Sequence, residues 1–576
     1  MLKQYLKSET IAPIIPLHNR APTMPNADIY KDLKDKKVLG TQIPVYKSGD
    51  LEYEVSVDVA NLLYRFSRPT CVVKPELPVH VEEVVKYAYE NKTPITVKNG
   101  GHSYAGLSTT NDGILLDLSR MNDVYLQHKS EPPTITMQGG ALWAHAYRQL
   151  VIEKVNKLVV NGGRCPTVGV SGFVLGGGLG PFTRKFGMGC DSLLEATLVT
   201  GKGDLVTVRK DDPDPEKRKL FWALCGAGAN NFGAVITMKM SLHELQEDKV
   251  VAGRYTWYPS TDEREEGFME AMNSFYAANW SNSMTIDTSW FCDLKDGKGD
   301  LAVRFLTYYD GKKQEFQEEI DRKLRGDAGS DIHKIKNSLA DNIKRRSIAE
   351  DSSRFLHETL VSQWSEETKK AIPSNKAYSI YASFVFGTEP DYTGITKSIR
   401  DHMKNFKKEF RGESALLQVT FIHTGQQATR IGANETAFPW RDASRIAYIM
   451  LQWDEKWLGE EMEEFCKNFK ENLMQFSIDR KAGFLNFPDR ELCVKEDHHQ
   501  AYYGPNRDAI REIKQTWDPK GIFQFAPKNE RDESIATDIV PILQAALSIE
   551  EIVSASLPHL NPLMTLISQL SAGNLS

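Results

Sequence analysis

The chain has no apolar run approaching the roughly 20 residues that span a bilayer. It also lacks a basic surplus. The formal net charge is −6 over 576 residues, so no whole-chain positive field argues for a nucleic-acid partner. Cysteine is sparse: Cys71, Cys165, Cys190, Cys225, Cys292, Cys466 and Cys493 form no CxxC pair, which argues against a zinc ribbon. An odd, scattered set reads as mostly reduced, buried thiols. The N-terminal MLKQYLKSETIAPIIPLHNR holds one short apolar run broken by two prolines, no clear signal peptide. Both observations favour an intracellular setting. Internal repeats and low-complexity linkers are missing too. What is there, 41 % apolar and 26 % charged residues, suits a globular protein of two or more domains.

Residues 1–60 read as an N-terminal arm with little patterning. From about 65 onward, helical and strand periods alternate. HVEEVVKYAYENK and ALWAHAYRQLVIEK carry apolar positions at helical spacing. TPITVK, GILLDLS and PTITMQ read as strands, and SLLEATLVTGKGDLVTV as a hairpin. After about 250, strands such as VAGRYTWYP, DLAVRFLTYY and RIAYIMLQW alternate with charged helical segments such as EEMEEFCKNFKENLMQF. That texture predicts an α+β fold whose second part is an antiparallel sheet covered by helices. A helix in YYGPNRDAIREIKQTWDPKGIF should end at Asp518-Pro519.

Three glycine-rich stretches carry the chemistry. In VKNGGHSYAG, a strand runs into Gly100-Gly101 and His102; successive backbone N–H groups in such a turn make an anion nest. In VVNGGRCPTVGVSGFVLGGGLGPF, Cys165 stands among glycines whose backbone can lie against a flat ligand. The third, CGAGANNFG, superficially matches a dinucleotide fingerprint, but its glycines fall between a helix and a strand, the wrong context for a Rossmann turn. Together the loops fit a large nucleotide cofactor. A metal is not expected, since no acidic partner or second histidine lies near His102 or Cys165.

The chain resembles the flavin-linked oxidases of the berberine bridge enzyme type, with a PCMH-type FAD-binding domain. The resemblance rests on NGGHSYAG, GRCPTVGVSGFVLGGGLGPFTRKFGMGCD, LFWALCGAGANNFG, TAFPWRD and YYGPNRDAIREIKQTWDPKGIF, in the family's order over roughly residues 60–527. It implies FAD bonded at two points, His102 to the 8α-methyl carbon and Cys165 to C6 of the ring. Further cofactor-binding positions implied are Asn99, Gly100, Gly101, Ser103, Gly163, Thr167, Val168, Gly169, Gly172, Gly177, Gly178, Gly228, Gly233 and Asn486. Cys190 reads as packing. The expected domains are FAD-binding 61–249, substrate-binding 250–497, and a segment 498–530 that returns to the FAD domain.

The active site departs from the family in one respect. Sugar and alcohol oxidases of this type carry a proton-accepting tyrosine in a YxN motif; the matching position is Phe484. Tyr104, just after His102, remains as a second phenol. The strand LLQVTFIHTGQQ, where some members place a carboxylate, offers only His423. Tyr104 and His423 are therefore the candidate catalytic residues. Val168, three residues after Cys165, stands where Val in plant members admits O₂ to the flavin. The expectation is an oxidase that acts on a small organic molecule with O₂ as acceptor, giving H₂O₂. A secondary-metabolite alcohol oxidation, desaturation or oxidative cyclisation is favoured. The alternatives are an oligosaccharide oxidase, or a flavin-holding scaffold for a non-redox cyclisation.

The tail, 531–576, carries a capping box at Ser548 and Glu551 and an N-cap at Asn561 followed by Pro562. Leu563, Leu566, Ile567 and Leu570 then share one helical face. Such a face should be covered by the chain's own body, by a second copy in a homodimer, or by a membrane or other partner.

Overall fold

The computed structural model describes residues 28–259, 262–295, 301–325, 331–494 and 498–525. The tail helices expected in 531–576 lie outside these residues. Three sheets organise the rest. A four-stranded sheet runs Val45–Tyr46, Cys71–Val73, Ile114–Asp117, Ile95–Lys98, and its last three strands are parallel. Helix Pro78–Asn91 packs Val81, Val84, Val85 and Ala88 into its core. The helix starts with proline at its first position, where a missing N–H costs nothing, and ends on Lys92 in a left-handed conformation.

A second sheet orders Leu205–Arg209, Leu193–Thr200, Gly233–Glu244, Thr134–Gln138 and Val124–Gln127, with Leu158–Val160 joined to the long strand Gly233–Glu244. The hairpin read from the sequence is its Leu193–Thr200 and Leu205–Arg209 pair. Helix Trp143–Ile152 buries Trp143, Ala146, Tyr147 and Leu150. The chain from 498 to 525 lies against these first two sheets. Ile95 N–H donates to the Ile522 carbonyl at 2.8 Å and Gly201 N–H to that of Trp517 at 2.9 Å. Helix Arg507–Trp517 ends one residue before Asp518-Pro519, as that dipeptide requires.

The third sheet has seven antiparallel strands in the order Ser347–Asp351, Lys249–Trp257, Leu301–Asp310, Met284–Asp293, Ala415–His423, Arg445–Trp453, Tyr378–Phe386. Alternation along each strand sorts its side chains. Leu417, Val419 and Phe421, with Ala447, Ile449 and Leu451, face a core made with helices Asp262–Ala277, Tyr392–Glu409 and Gly459–Met474. Ile422, Tyr448 and Tyr381 face the other way, toward the glycine-rich loops. Both faces are buried, so these strands read as continuous apolar runs. The architecture is the α+β fold expected. Among the described residues no helix is long and apolar enough to cross a membrane.

Candidate active site

Two loops from different parts of the chain meet over one pocket. Strand Ile95–Lys98 delivers Asn99, Gly100, Gly101, His102, Ser103 and Tyr104 to its wall, and the loop after Val160 delivers Gly163, Arg164, Cys165, Val168, Gly169 and Gly172. The loops interlock tightly. A Cβ at Gly100 would lie 2.5 Å from the Thr167 carbonyl oxygen and 2.7 Å from Gly169 N, so only glycine fits. Gly172 is the opposite case: a Cβ there would touch nothing within 4 Å, because its backbone faces open space. Asn99 Nδ2 donates to the Gly139 and Ala141 carbonyls and Ser171 Oγ, while its Oδ1 is buried without a hydrogen-bond partner. A flat, largely apolar ring with hydrogen-bonding edges suits this lining.

His102 and Cys165 are both shifted by burial, in opposite directions. Burial lowers His102 to about 4, against a hydrogen bond to the Thr167 backbone that pulls the other way. Its imidazole is neutral at ordinary pH, with a free lone pair. Burial pushes the Cys165 thiol up to about 12, and the charge of Glu367 adds to that. Burial also raises the Tyr104 phenol well above its usual value. Tyr104 therefore keeps its proton; it stacks on Tyr381 with ring centres 3.9 Å apart.

Arg164 ties the loop to the large sheet. Its Nε donates to Asp287 Oδ2 at 2.5 Å, both side chains being almost wholly buried. Arg184, from the same loop region, donates to the carbonyls of Met284 and Thr424 at 2.8 and 2.7 Å.

Of the residues picked from sequence, Gly233 and Asn486 also line the pocket; Thr167, Gly177, Gly178 and Gly228 do not. Thr167 supports His102 from behind, and Gly177 and Gly178 form the left-handed turn that lets Phe173 and Met188 close over it. Gly228 N–H caps the Leu175 carbonyl. Asn486 Nδ2 donates to the Phe173 carbonyl at 2.8 Å, which fixes the 484–488 loop. Phe484 is buried against Phe438 and does not line the pocket, whereas Phe487 does. His423 is not brought to the pocket. Its neighbour Ile422 faces inward, so alternation turns His423 outward, where Nδ1 accepts from Ile286 N–H at 3.2 Å and the His423 backbone N–H donates to Asp287 Oδ1 at 2.9 Å. Burial and the charges of Arg184 and Arg445 hold it well below 6.5. Cys190 is buried beside Arg441, which pairs with Asp191 at 2.7 Å. Sequence reasoning missed Tyr381, Tyr448, Phe487 and Glu367.

Comparison with known proteins agrees with this architecture. A family profile described as "FAD binding domain" matches residues 69–209, and one described as "Berberine and berberine like" matches 483–527. Among solved structures, a variant of berberine bridge enzyme in complex with (S)-reticuline superposes with a TM-score of 0.69 at 19 % identity, covering 84 % of this chain and 95 % of that one. A chitooligosaccharide oxidase does so with 0.67 at 18 %, covering 84 % and 97 %. Fold and profile together define an FAD-linked oxidoreductase. Berberine bridge enzyme-like 12 of Arabidopsis thaliana is 32 % identical over 492 residues, 79 % of this chain and 84 % of the relative; the chain belongs to the berberine bridge enzyme-like family.

Proposed function

We propose that this enzyme holds FAD by two covalent bonds, from His102 to the 8α-methyl carbon and from Cys165 to C6, and oxidises a small organic molecule with O₂ as acceptor, giving H₂O₂. The observation that carries this reading is that His102 and Cys165, 63 positions apart in sequence, open onto the same pocket. In this reading residues 61–249 and 498–530 carry the cofactor and 250–497 the substrate. When bound, FAD supplies the two-electron acceptor that O₂ regenerates.

The chain supplies the surroundings. Asn99 offers a buried acceptor to the ring edge. Tyr104 holds its proton and orients whatever lies against it. Ile422, Leu485 and Phe487 keep water off the reacting face. Val168 lines the pocket, leaving the small side chain that O₂ access favours. The apolar and aromatic side chains of Ile422, Tyr448, Leu485 and Phe487 favour a secondary-metabolite substrate over an oligosaccharide. The test is direct. Denatured, acid-precipitated protein should keep its flavin absorbance, and air oxidation of a substrate should release H₂O₂ in step with product. Free FAD in the supernatant of fully loaded, denatured protein refutes the covalent attachment.

A further inference from the structure

The pocket contains a carboxylate that no motif marks. Glu367 stands on the short helix Ser365–Lys370 and lines both the pocket of His102 and Cys165 and an adjoining one behind Tyr104 and Tyr381. Its side chain is 11 % exposed, and it is the one Asp or Glu among the residues lining the first pocket. Its protein contacts fall on a single oxygen. Oε1 accepts from Gln418 Nε2 at 3.2 Å and Lys370 Nζ at 3.2 Å, with Arg304 at 3.9 Å. Oε2 makes no hydrogen bond among the described residues and is not a sealed, unsatisfied atom. The carboxylate is thus held through one oxygen, in a side chain that lines the cavity.

The groups that face it are Tyr104, Tyr381, Tyr448 and Cys165, each of which feels its negative charge, together with the cations Lys370 and Arg304. Glu366, the preceding carboxylate, turns to Arg254 and Arg304 instead. Burial keeps the three phenols protonated, so they donate and do not accept protons. Tyr448 and Phe487 pack at 4.5 Å between ring centres, and Tyr104 and Phe487 at 5.9 Å. Such a wall suits an aromatic ring.

We infer that Glu367 is the proton acceptor of the oxidation, and that the substrate is an aromatic compound with a hydroxyl or amino group on the carbon that is oxidised. The inference rests on the flavin-oxidase reading above. The O–H or N–H proton passes to Glu367 Oε2. The hydrogen on the same carbon leaves as hydride, with its electron pair, to the flavin. The C–O or C–N bond becomes a double bond. O₂ takes up the two electrons with two protons, the hydride's hydrogen and the one held by Glu367, giving H₂O₂ and restoring the carboxylate.

The experiment uses flavin-loaded wild type, Glu367→Gln, Glu367→Asp and, as control, Glu366→Gln. Binding of 4-nitrophenol, a phenol that is not oxidised and whose ionisation is visible, should weaken about tenfold in Glu367→Gln as a charge-assisted hydrogen bond is lost. Glu366→Gln should bind as wild type. Anaerobic flavin bleaching by benzyl alcohol and benzylamine should slow by roughly 10²–10⁴-fold in Glu367→Gln, mostly in kcat rather than KM, with part of the rate restored in Glu367→Asp. With benzyl alcohol, which does not ionise, any decline of wild-type kcat/KM toward acid that comes from the proton acceptor should be absent in Glu367→Gln. Equal 4-nitrophenol affinity and an unchanged pH profile in Glu367→Gln overturn the assignment of the proton acceptor. Failure of wild type both to bind 4-nitrophenol and to be bleached by either compound overturns the aromatic substrate. Neither result touches the flavin bonds, which the denaturation test reads separately.

Discussion

The two walls of the pocket are built by opposite means. One is backbone: glycine loops at 99–104 and 162–172 that interlock so closely that a single methyl at Gly100 has no room. The other is side chain: Tyr448 and Ile422 from the large sheet, with Phe487 and Glu367 from two connections, and Tyr381 of the same sheet stacked behind Tyr104. A backbone wall fits one flat ligand and tolerates little change. A side-chain wall can be recut residue by residue while the opposite face of each strand keeps its helix core. In the function proposed above, the cofactor belongs to the first wall and substrate choice to the second.

Four experiments can break or sharpen that division. The largest effect belongs to the backbone wall. His102→Ala with Cys165→Ala should release all flavin on denaturation, while either single replacement leaves flavin attached through the other bond, read from the absorbance of the precipitate. Retention in the double variant would move the attachment elsewhere. Next comes the joint between the walls. Arg164→Met strands Asp287 as a buried unpaired charge and should cost roughly 3–5 kcal/mol in chemical denaturation; a loss within error would mean the walls are independent. Gly100→Ala should cost roughly 1–3 kcal/mol through overpacking against Thr167 and Gly169 and lower the flavin-to-protein ratio. A fully loaded Gly100→Ala would show the backbone wall to be more forgiving than its contacts imply. The smallest effect tests a residue behind the side-chain wall. His423 is held well below 6.5 in the folded chain, so the unfolded chain takes the proton first. The associated stability is full above about pH 6.5 and falls as pH drops below it, by at most about 1.4 kcal/mol per pH unit. In His423→Asn that share of the acid loss should disappear from denaturation curves compared at about pH 7 and about pH 5.5, with flavin bleaching unchanged.

How much of this was legible in sequence follows the same division. The backbone wall was open to reading because its requirements are local: a strand must run into Gly100-Gly101 before His102, and Cys165 must sit among glycines. The helices and the hairpin 193–209 were legible through period and turn residues. The side-chain wall was not. Ala415–His423 and Arg445–Trp453 are buried on both faces, so nothing in their composition tells the pocket side from the helix side, and His423 looked as available as Ile422. Glu367 was hidden differently. SEETKK has four charged residues in six and reads as a solvated helix; only the sheet beside it reveals that Glu367, with Lys370, is enclosed. The helix in LFWALCGAGANNFG loses helical geometry at Cys225 because Gly226, at positive φ, admits the backbone of Phe438 from the TAFPWRD loop, a demand from a segment over two hundred residues away.

Arg164 and Cys165 are consecutive, yet one reaches into the large sheet and the other into the pocket. Any ring bonded to Cys165 would share a rigid mount with strand Met284–Asp293, separated from it by a single peptide unit and one ion pair. The clearance above that ring is then set by one step along the chain and one ion pair at this corner. Selection for a thicker or thinner substrate can then act by resizing side chains on the sheet face and leave the mount as it is.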